Sequence, residues 1–239
     1  MTDIGQTSFK RYMLLLIVTV AALSLVALGT WQLERRSWKL HLIEQIDQRV
    51  NAAPTSLPDP HLWTSVTQEE YAYRHVRATG VFLNDRETFV RASTVKGSGY
   101  WVMTPLKTDD GSIVLINRGF VPSELRDPQK RAAGQITGAT TVIGLIRMTE
   151  PGGGFLRSNK PVADQWYSRD VTAIAAARGL SRTAPYFIDA DDRPNEGGFP
   201  VGGLTVISLP NNHLLYALTW FTLAFMLISA TITIFFKQR

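Results

Sequence analysis

Residues 210–221 read PNNHLLYALTWF and open an uncharged, mostly apolar run that extends to Phe236, about 23 residues in all. A helix of that length crosses a bilayer core of about 30 Å. Pro210 ends the segment before it, and Asn211 or Asn212 can cap the first free N–H groups of a helix. The pattern therefore predicts a membrane-spanning helix.

A histidine and two aromatic residues lie near the start of this predicted helix. In a helix, His213, Tyr216 and Trp220 fall on one face, about where the lipid headgroups begin. A neutral imidazole in this place is a candidate metal ligand. Alternatively, the polar residue and the aromatics only mark the membrane interface, as in many membrane helices. These residues alone leave both interpretations open.

A second uncharged run occupies residues 12–33, after Lys10 and Arg11. A secretory signal peptide has an apolar core of only about 7–15 residues, so an uncleaved membrane anchor is favoured. Residues 27–29 resemble a cleavage site, which keeps processing open as an alternative. A mitochondrial presequence needs a longer basic leader, so we expect a bacterial inner (plasma) membrane.

The orientation follows from the charges that flank the second run. Lys237 and Arg239 follow it, whereas residues 201–210 contain no lysine or arginine. The positive-inside rule then places both termini in the cytoplasm and the region between the spans in the periplasm. Arg35 and Arg36 follow the first span, but long domains translocate largely regardless of charge.

The region between the spans has a helical part and a strand-rich part. No helix breaker occurs in residues 34–53, and apolar residues keep helical spacing, so the first span is expected to continue as an amphipathic helix until Pro54. β-branched and aromatic residues predict strands at 74–83, 87–93, 100–107, 113–121, 140–148, 187–188 and 204–209.

Turn and capping residues predict how these elements connect. Asn84-Asp85 is a turn pair that predicts a hairpin of the first two strands, and Asp109-Asp110-Gly111 predicts a second hairpin. One short helix is predicted between Asp170, as its N-cap, and Gly179. Asp189, Asp191 and Asp192 could bind a cation, but we interpret them as part of an exposed acidic loop.

The expected fold class is membrane α+β, in which two transmembrane helices flank a mostly antiparallel β periplasmic domain with at least one short helix. The predicted parts are a cytoplasmic N-terminus (1–11), transmembrane helix 1 (12–33), the amphipathic continuation (34–53), the periplasmic β-rich domain (54–210), transmembrane helix 2 (211–236) and a cytoplasmic C-terminus (237–239). A chain of 239 residues that is 45% hydrophobic and 19% charged suits this organisation.

Composition and motifs also exclude several kinds of chemistry. The chain has no cysteine, which excludes disulfides, CxxC redox chemistry and thiolate metal sites. The net charge of +5 is too small and dispersed to suggest a nucleic-acid partner. No nucleophile elbow, Walker loop, HExxH motif or dinucleotide fingerprint occurs in the sequence, so we do not expect an enzyme.

One arginine is a further candidate site residue. Arg118 lies in the run NRGFVP at the end of a predicted strand. A buried arginine in this place can hold loop carbonyls, and alternatively its guanidinium can bind an anionic group. His41, His61 and His75 have no partner at metal-chelating spacing.

Several motifs occur in a fixed order along this two-span pattern. They are Gly29-Thr30-Trp31-Gln32-Leu33 with Arg35 and Trp38-Lys39; Tyr73-Arg74 with Gly80-Val81-Phe82; Asn117-Arg118-Gly119-Phe120-Val121-Pro122; Glu150-Pro151-Gly152-Gly153 with Asn159, Pro161, Trp166-Tyr167 and Arg169-Asp170; and Pro210-Asn211-Asn212-His213-Leu214 with Tyr216-Ala217 and Thr219-Trp220-Phe221. Each motif is weak alone. In this order the chain resembles the Surfeit-locus family of cytochrome oxidase assembly proteins over nearly its whole length.

The resemblance implies a function in the delivery of haem a to subunit I of haem-copper oxidases. It places the family's candidate haem ligand on His213, as the axial ligand of the haem iron. Haem a, bound transiently, is thus the expected cofactor, with Tyr216, Trp220 and Trp31 as aromatic walls. Arg35, Arg36 and Arg118 are the candidate partners of the propionates. The expected partners are oxidase subunit I, haem a synthase as a second candidate, and the lipid bilayer, without nucleic acid.

The packing of the two spans bears on this site. Because these are the two expected spans, they should pack together, and small residues such as Ala217 and Ala224 permit a close approach. A single histidine with flat aromatic walls suits a haem that must be released.

Two function classes remain open at this point. The first is an assembly factor that binds haem. The second is a membrane interaction scaffold that stabilises an oxidase assembly intermediate without binding haem. A periplasmic enzyme is a third class, which is disfavoured because no nucleophile–base pair or metal cluster is visible in the sequence.

Overall fold

The computed structural model describes residues 3–237, which divide into two compact units. The helical unit comprises residues 3–45 and 208–237 of this range, and the β unit comprises Ile46–Ile207. The α-helices are α1 (Asp3–Asn51), α2 (Gln68–Tyr71), α3 (Val171–Ala177) and α4 (His213–Lys237). The strands are β1 (Thr55–Ser56), β2 (His75–Phe82), β3 (Thr88–Thr94), β4 (Gly97–Thr108), β5 (Ile113–Pro122), β6 (Ala139–Met148), β7 (Gly153–Gly154), β8 (Arg157–Ser158) and β9 (Thr183–Ala190). Short 3₁₀ turns connect several of these elements.

The two predicted spans are helices of sufficient length and apolarity to cross a membrane, in α1 from Arg11 onward and in α4. The predicted continuation of the first span is also present, because α1 runs without a break to Asn51. It ends there since Pro54 follows closely and disfavours helical backbone just before it.

In the helical unit, α1 and α4 pack against each other in antiparallel orientation. Gln32 contacts His213, Gly29 approaches Phe221, and the guanidinium of Arg11 lies over the ring of Phe235 near the end of α4. Buried and half-buried residues recur at intervals of three and four on both helices: Leu15, Val18, Ala22, Leu25, Gly29 and Gln32 on α1, and His213, Ala217, Trp220, Ala224, Leu227 and Thr231 on α4. This spacing is the seam of a left-handed helix pair.

The β unit is built on a ring of five strands. β2 pairs with β6, β6 with β9, β9 with β5, β5 with β4, and β4 returns to β2. All these pairs are antiparallel except β5 with β9. The mostly antiparallel domain predicted from the sequence is therefore present, as a barrel-like sheet.

Along each strand, side chains point alternately to the inside and the outside of this ring. One core cluster takes residues from all five ring strands, among them Val76, Leu106, Ile116, Ile146 and Tyr186, and so fills the interior. A second cluster covers the outer face. It includes Leu115, Phe187, Trp166 and two residues of α3.

The predicted short helix is confirmed as α3. Asp170 is its N-cap, and the carboxylate accepts a hydrogen bond from the N–H of Ala173. Gly179 follows the helix with a φ of +62°, the left-handed conformation that ends many helices.

The hairpin predicted at Asn84-Asp85 is wrong, although both strands exist. β3 pairs with the first half of β4, and the end of β2 pairs with the second half. The two strands thus lie end to end along the same edge of β4. The side chain of Asn84 donates to the carbonyl of Ile136 rather than closing a hairpin turn.

The strand predicted at residues 204–209 is also wrong. The chain makes one bridge just before this range, between Phe120 and Val201, and Gly203 then turns it away with a φ of +68°. The ring is already closed, so the alternating residues that follow have no free edge of the ring to pair with.

Candidate functional site

His213 is the first residue of α4, and its ring contacts the other helix of the unit. The Nδ1 atom lies 2.7 Å from Oε1 of Gln32 in α1. An amide oxygen only accepts hydrogen bonds, so in this arrangement Nδ1–H is the donor. The lone pair is then on Nε2, the nitrogen that remains available to a metal.

Small residues bring the two helices close enough for this contact. Ala217, one turn after His213, is 1% exposed, and Ala224 is similarly buried. On the other helix, a Cβ added at Gly29 would lie 2.5 Å from the ring of Phe221. The predicted close approach through small residues is thus confirmed.

The predicted aromatic residues lie on different faces of the helix pair. Trp220 belongs to the packed seam, and its Nε1 is buried with no hydrogen-bond partner in the part of the chain that the structure describes. Tyr216 and Trp31 are 53% and 50% exposed. Trp220 therefore shares the face of His213, whereas Tyr216 and Trp31 offer apolar surface beside it.

These residues suit a haem ligand site with one protein ligand. An axial histidine normally binds iron through one ring nitrogen while the other donates a hydrogen bond to a fixed acceptor. His213 has this arrangement, with the side chain of Gln32 as the acceptor. Among the side chains that the structure describes, no group of three or more His, Asp or Glu could hold a metal ion.

Arg118 belongs to the β unit, where it is 2% exposed. Its Nη2 donates to the carbonyl of Gly134 at 2.6 Å and to Oδ1 of Asn195 at 3.0 Å, and its guanidinium lies over the ring of Phe82. Burial lowers the pKa of Arg118 to about 10, against the opposing charge of Glu87. Arg118 thus holds a loop carbonyl, the structural alternative predicted for this residue.

Glu87 is the counter-charge for two buried arginines. Nη2 of Arg131 donates to it at 2.5 Å, and Nη1 of Arg118 lies 3.8 Å away. Thr104 and Gln135 also donate to the carboxylate. All three charged side chains are 2% exposed, so this cluster is part of the interior of the β unit.

The interpretation of Asp189 as part of an exposed acidic loop is wrong. The residue is 4% exposed in β9, and its carboxylate accepts hydrogen bonds from Asn117, Arg147, Arg169 and Thr205. Two arginines compensate its charge, and this makes the buried position tolerable.

Gln32 is the contact residue that sequence reasoning missed. It is a member of one of the family motifs, but no role was assigned to it. Its spacing of three residues from Gly29 is the signal that places it on the seam. Which residue of α4 it meets depends on the register of the two helices, which the sequence does not contain.

Comparison with known proteins gives matches along the chain. The profile of the SURF1 family matches residues 19–225, a range that includes both Gln32 and His213. The human protein named Surfeit locus protein 1 is 36% identical over 255 aligned positions, covering 99% of this chain and 80% of that protein. Its mouse counterpart is 37% identical, covering 90% of this chain and 72% of that protein. The protein of the same name from Takifugu rubripes is 33% identical and covers 90% and 92%, respectively.

Proposed function

The chain belongs to the SURF1 family, and from this premise we propose that it is an assembly factor for a haem-copper terminal oxidase. In this proposal it binds haem a transiently and assists its insertion into subunit I. The observation that supports haem binding most directly is the hydrogen bond from Nδ1 of His213 to Gln32, because it leaves Nε2 free.

Each residue of the helical unit has a distinct part in this proposal. Nε2 of His213 would supply a lone pair to the iron of a bound haem. Trp220 and the exposed rings of Tyr216 and Trp31 give apolar contact to a flat ligand. Their exposure leaves the ligand accessible to a receiving protein.

The propionates require a cation, and Arg36 is the candidate we retain. It follows Gln32 by four residues, so it lies on the same face of α1, and it is half-buried. Arg35 already stacks on Trp38 at 4.5 Å. Arg118 is left out, because its side chain is buried and bonded within the β unit.

One protein ligand suits the temporary holding of a haem. A histidine with a neutral hydrogen-bond partner would hold the iron through a single bond from the protein, which suits later release of the haem to an acceptor protein. The acceptor in this proposal is oxidase subunit I, and haem a synthase is the candidate donor.

We place the protein in a bacterial inner membrane, with both termini cytoplasmic and the β unit periplasmic. The two apolar helices support a membrane protein, and Lys237 and Arg239 at the end of the second one support the orientation. The test is a reporter that is active only in the periplasm, fused after Arg239. Activity of this fusion would contradict the topology.

One observation favours the alternative, an interaction scaffold that binds no haem. The turn between β7 and β8 carries Phe155 and Leu156, which are 92% and 88% exposed. Exposed apolar side chains at the tip of a hairpin are suited to contact with another protein. This function does not need His213, so a variant that lacks His213 separates the haem-binding function from the scaffold function.

The experiment compares three alanine variants at equal membrane levels in a strain that makes haem a. His213→Ala is expected to abolish the Soret band of the purified protein, because it removes the axial ligand. Trp220→Ala is expected to weaken haem binding about 2- to 12-fold, the equivalent of about 0.5–1.5 kcal/mol of aromatic contact.

His75→Ala is the matched control. Its Nδ1 lies 2.8 Å from the carbonyl of Ala52, so it has the same kind of hydrogen bond as His213, but in the β unit. This variant should keep the wild-type spectrum. A wild-type spectrum in His213→Ala would contradict the haem site and leave the scaffold function.

A further inference from the structure

We propose that Gln32 is a positioning residue that sets the tautomer and the ring orientation of His213. This inference rests on the proposed haem site and names the residue on which its ligand depends. Gln32 does not touch the haem in this proposal. It acts through the imidazole, by accepting a hydrogen bond from the protonated ring nitrogen and leaving the other nitrogen free.

The chemistry of the glutamine amide makes this contact selective. Its oxygen, 2.7 Å from Nδ1, requires a proton on Nδ1 and so produces the Nε2 lone pair that a metal needs. If the NH₂ group faced the ring instead, it would donate to Nδ1, and the proton would lie on Nε2. The orientation of one amide therefore separates a ligating histidine from a non-ligating one.

The apolar surroundings make the hydrogen bond important for stability as well as for orientation. His213 is half-buried against α1, one turn from the buried Ala217. A ring N–H without an acceptor is costly in such a place, whereas a fixed acceptor holds the ring in one orientation. The same hydrogen bond increases the basicity of the nitrogen that binds metal.

The contact also connects ligand competence to helix pairing. Gln32 is on α1 and His213 is on α4, so the acceptor is in place only when the two helices are packed. A separated α4 would have the same histidine without a defined tautomer. The site is thereby complete only in the paired state.

The first measurement needs no haem. The full chain is labelled with ¹⁵N-histidine and solubilised in detergent micelles, and the ring-nitrogen shifts of His213 are recorded, with the resonance assigned by its loss in His213→Ala. The wild type is expected to show the Nδ1–H tautomer with Nε2 unprotonated. Gln32→Leu is expected to lose this preference, and Gln32→Glu to keep it, because a carboxylate also accepts.

The second measurement follows haem binding and redox potential in the same variants. Gln32→Leu should weaken haem binding about 10- to 100-fold, the range found for loss of a hydrogen-bond partner of a metal-binding histidine. Gln32→Glu should restore binding and lower the midpoint potential of the bound haem, since a charged acceptor makes the imidazole a stronger donor. Gln45→Leu, the same change at an exposed position of α1, is the control and should leave both values unchanged.

The outcomes separate this inference from the proposed function. An Nε2–H tautomer in the haem-free wild type, or equal haem affinity in the wild type and Gln32→Leu, would overturn the role of Gln32 while leaving His213 as a ligand. A wild type with the expected tautomer that binds no haem would instead overturn the proposed function.

Discussion

Polar side chains are used differently in the β unit and in the helical unit. In the β unit, Glu87 and Asp189 are each bound by two arginines and by neutral donors as well. In the helical unit, His213 has one neutral hydrogen bond to Gln32. The buried charges of the β unit are therefore committed to its own structure, whereas the histidine keeps one nitrogen free.

This difference indicates where a ligand can bind without cost to the fold. Breaking a buried ion pair leaves an uncompensated charge in the interior, which is strongly destabilising. Adding a bond to a free imidazole nitrogen breaks no protein contact. The buried charged residues of the β unit are thus less suited to hold a ligand than the half-satisfied histidine on which the proposed haem site is based.

The largest expected effect tests the structural role of the charges in the β unit. Glu87→Gln leaves Arg118 and Arg131 buried without a counter-charge and should cost about 3–5 kcal/mol of unfolding free energy. Thermal denaturation of the β-sheet signal in micelles measures it, with the exposed Glu124→Gln as the control. Haem binding at temperatures where the variant is folded should be unchanged. Its loss from the folded protein would show that the β unit takes part in the site.

An intermediate effect is expected from the helical unit. Gly29→Leu inserts a side chain where even a Cβ would lie 2.5 Å from the ring of Phe221, and such overpacking costs about 1–3 kcal/mol. The distance between nitroxide labels on exposed positions of α1 and α4 should broaden, and the native chain has no cysteine to interfere. Adding Phe221→Ala should restore part of the packing. An unchanged distance distribution would mean that Gly29 is not required for helix pairing.

The smallest effect is a pH dependence in the β unit. Burial opposes ionisation of Glu150, but the hydrogen bond and charge of Arg169, helped by Arg147, outweigh it and lower the pKa of Glu150 below 4.5. The stability from this pair is therefore fully present above about pH 4.5 and is lost as the pH falls through the lower, folded-state pKa.

Glu150→Gln should flatten the decline of the melting temperature between pH 5 and pH 3. Because the carboxylate is 38% exposed, the difference should stay below about 1 kcal/mol. The exposed Glu124→Gln should follow the wild type. A decline as steep in Glu150→Gln as in the wild type would assign the acid sensitivity to other carboxylates.

Local signals account for the parts of the fold that the sequence predicted correctly. The two long apolar helices, the unbroken extension of α1 to Asn51, the hairpin of β4 and β5, and the caps of α3 each depend on residues close together in the chain. Apolar periodicity, turn residues and an N-cap aspartate identify such elements directly. The place of His213 at the start of a helix is predicted in the same way, whereas its role as a ligand comes from the family resemblance.

The errors concern contacts between distant residues. The turn pair at Asn84 was interpreted as a hairpin because nothing local indicates that β4 is long enough to pair with both β2 and β3. The acidic composition around Asp189 suggested an exposed loop, while its partners Arg147 and Arg169 are distant in sequence. The contact of Gln32 likewise depends on the register of two separate helices.

The closed ring of the β unit also has a consequence for the order of folding. Two of its five pairings, with β5 and with β6, use β9, so the ring cannot close before Ala190 has been synthesised. The next regular helix to emerge is α4, which begins at His213. Pairings between distant segments are slow to form. The β unit therefore cannot complete its fold until late in translation, close to the point at which the helix that carries His213 is made, and a chain that ends before β9 would have neither.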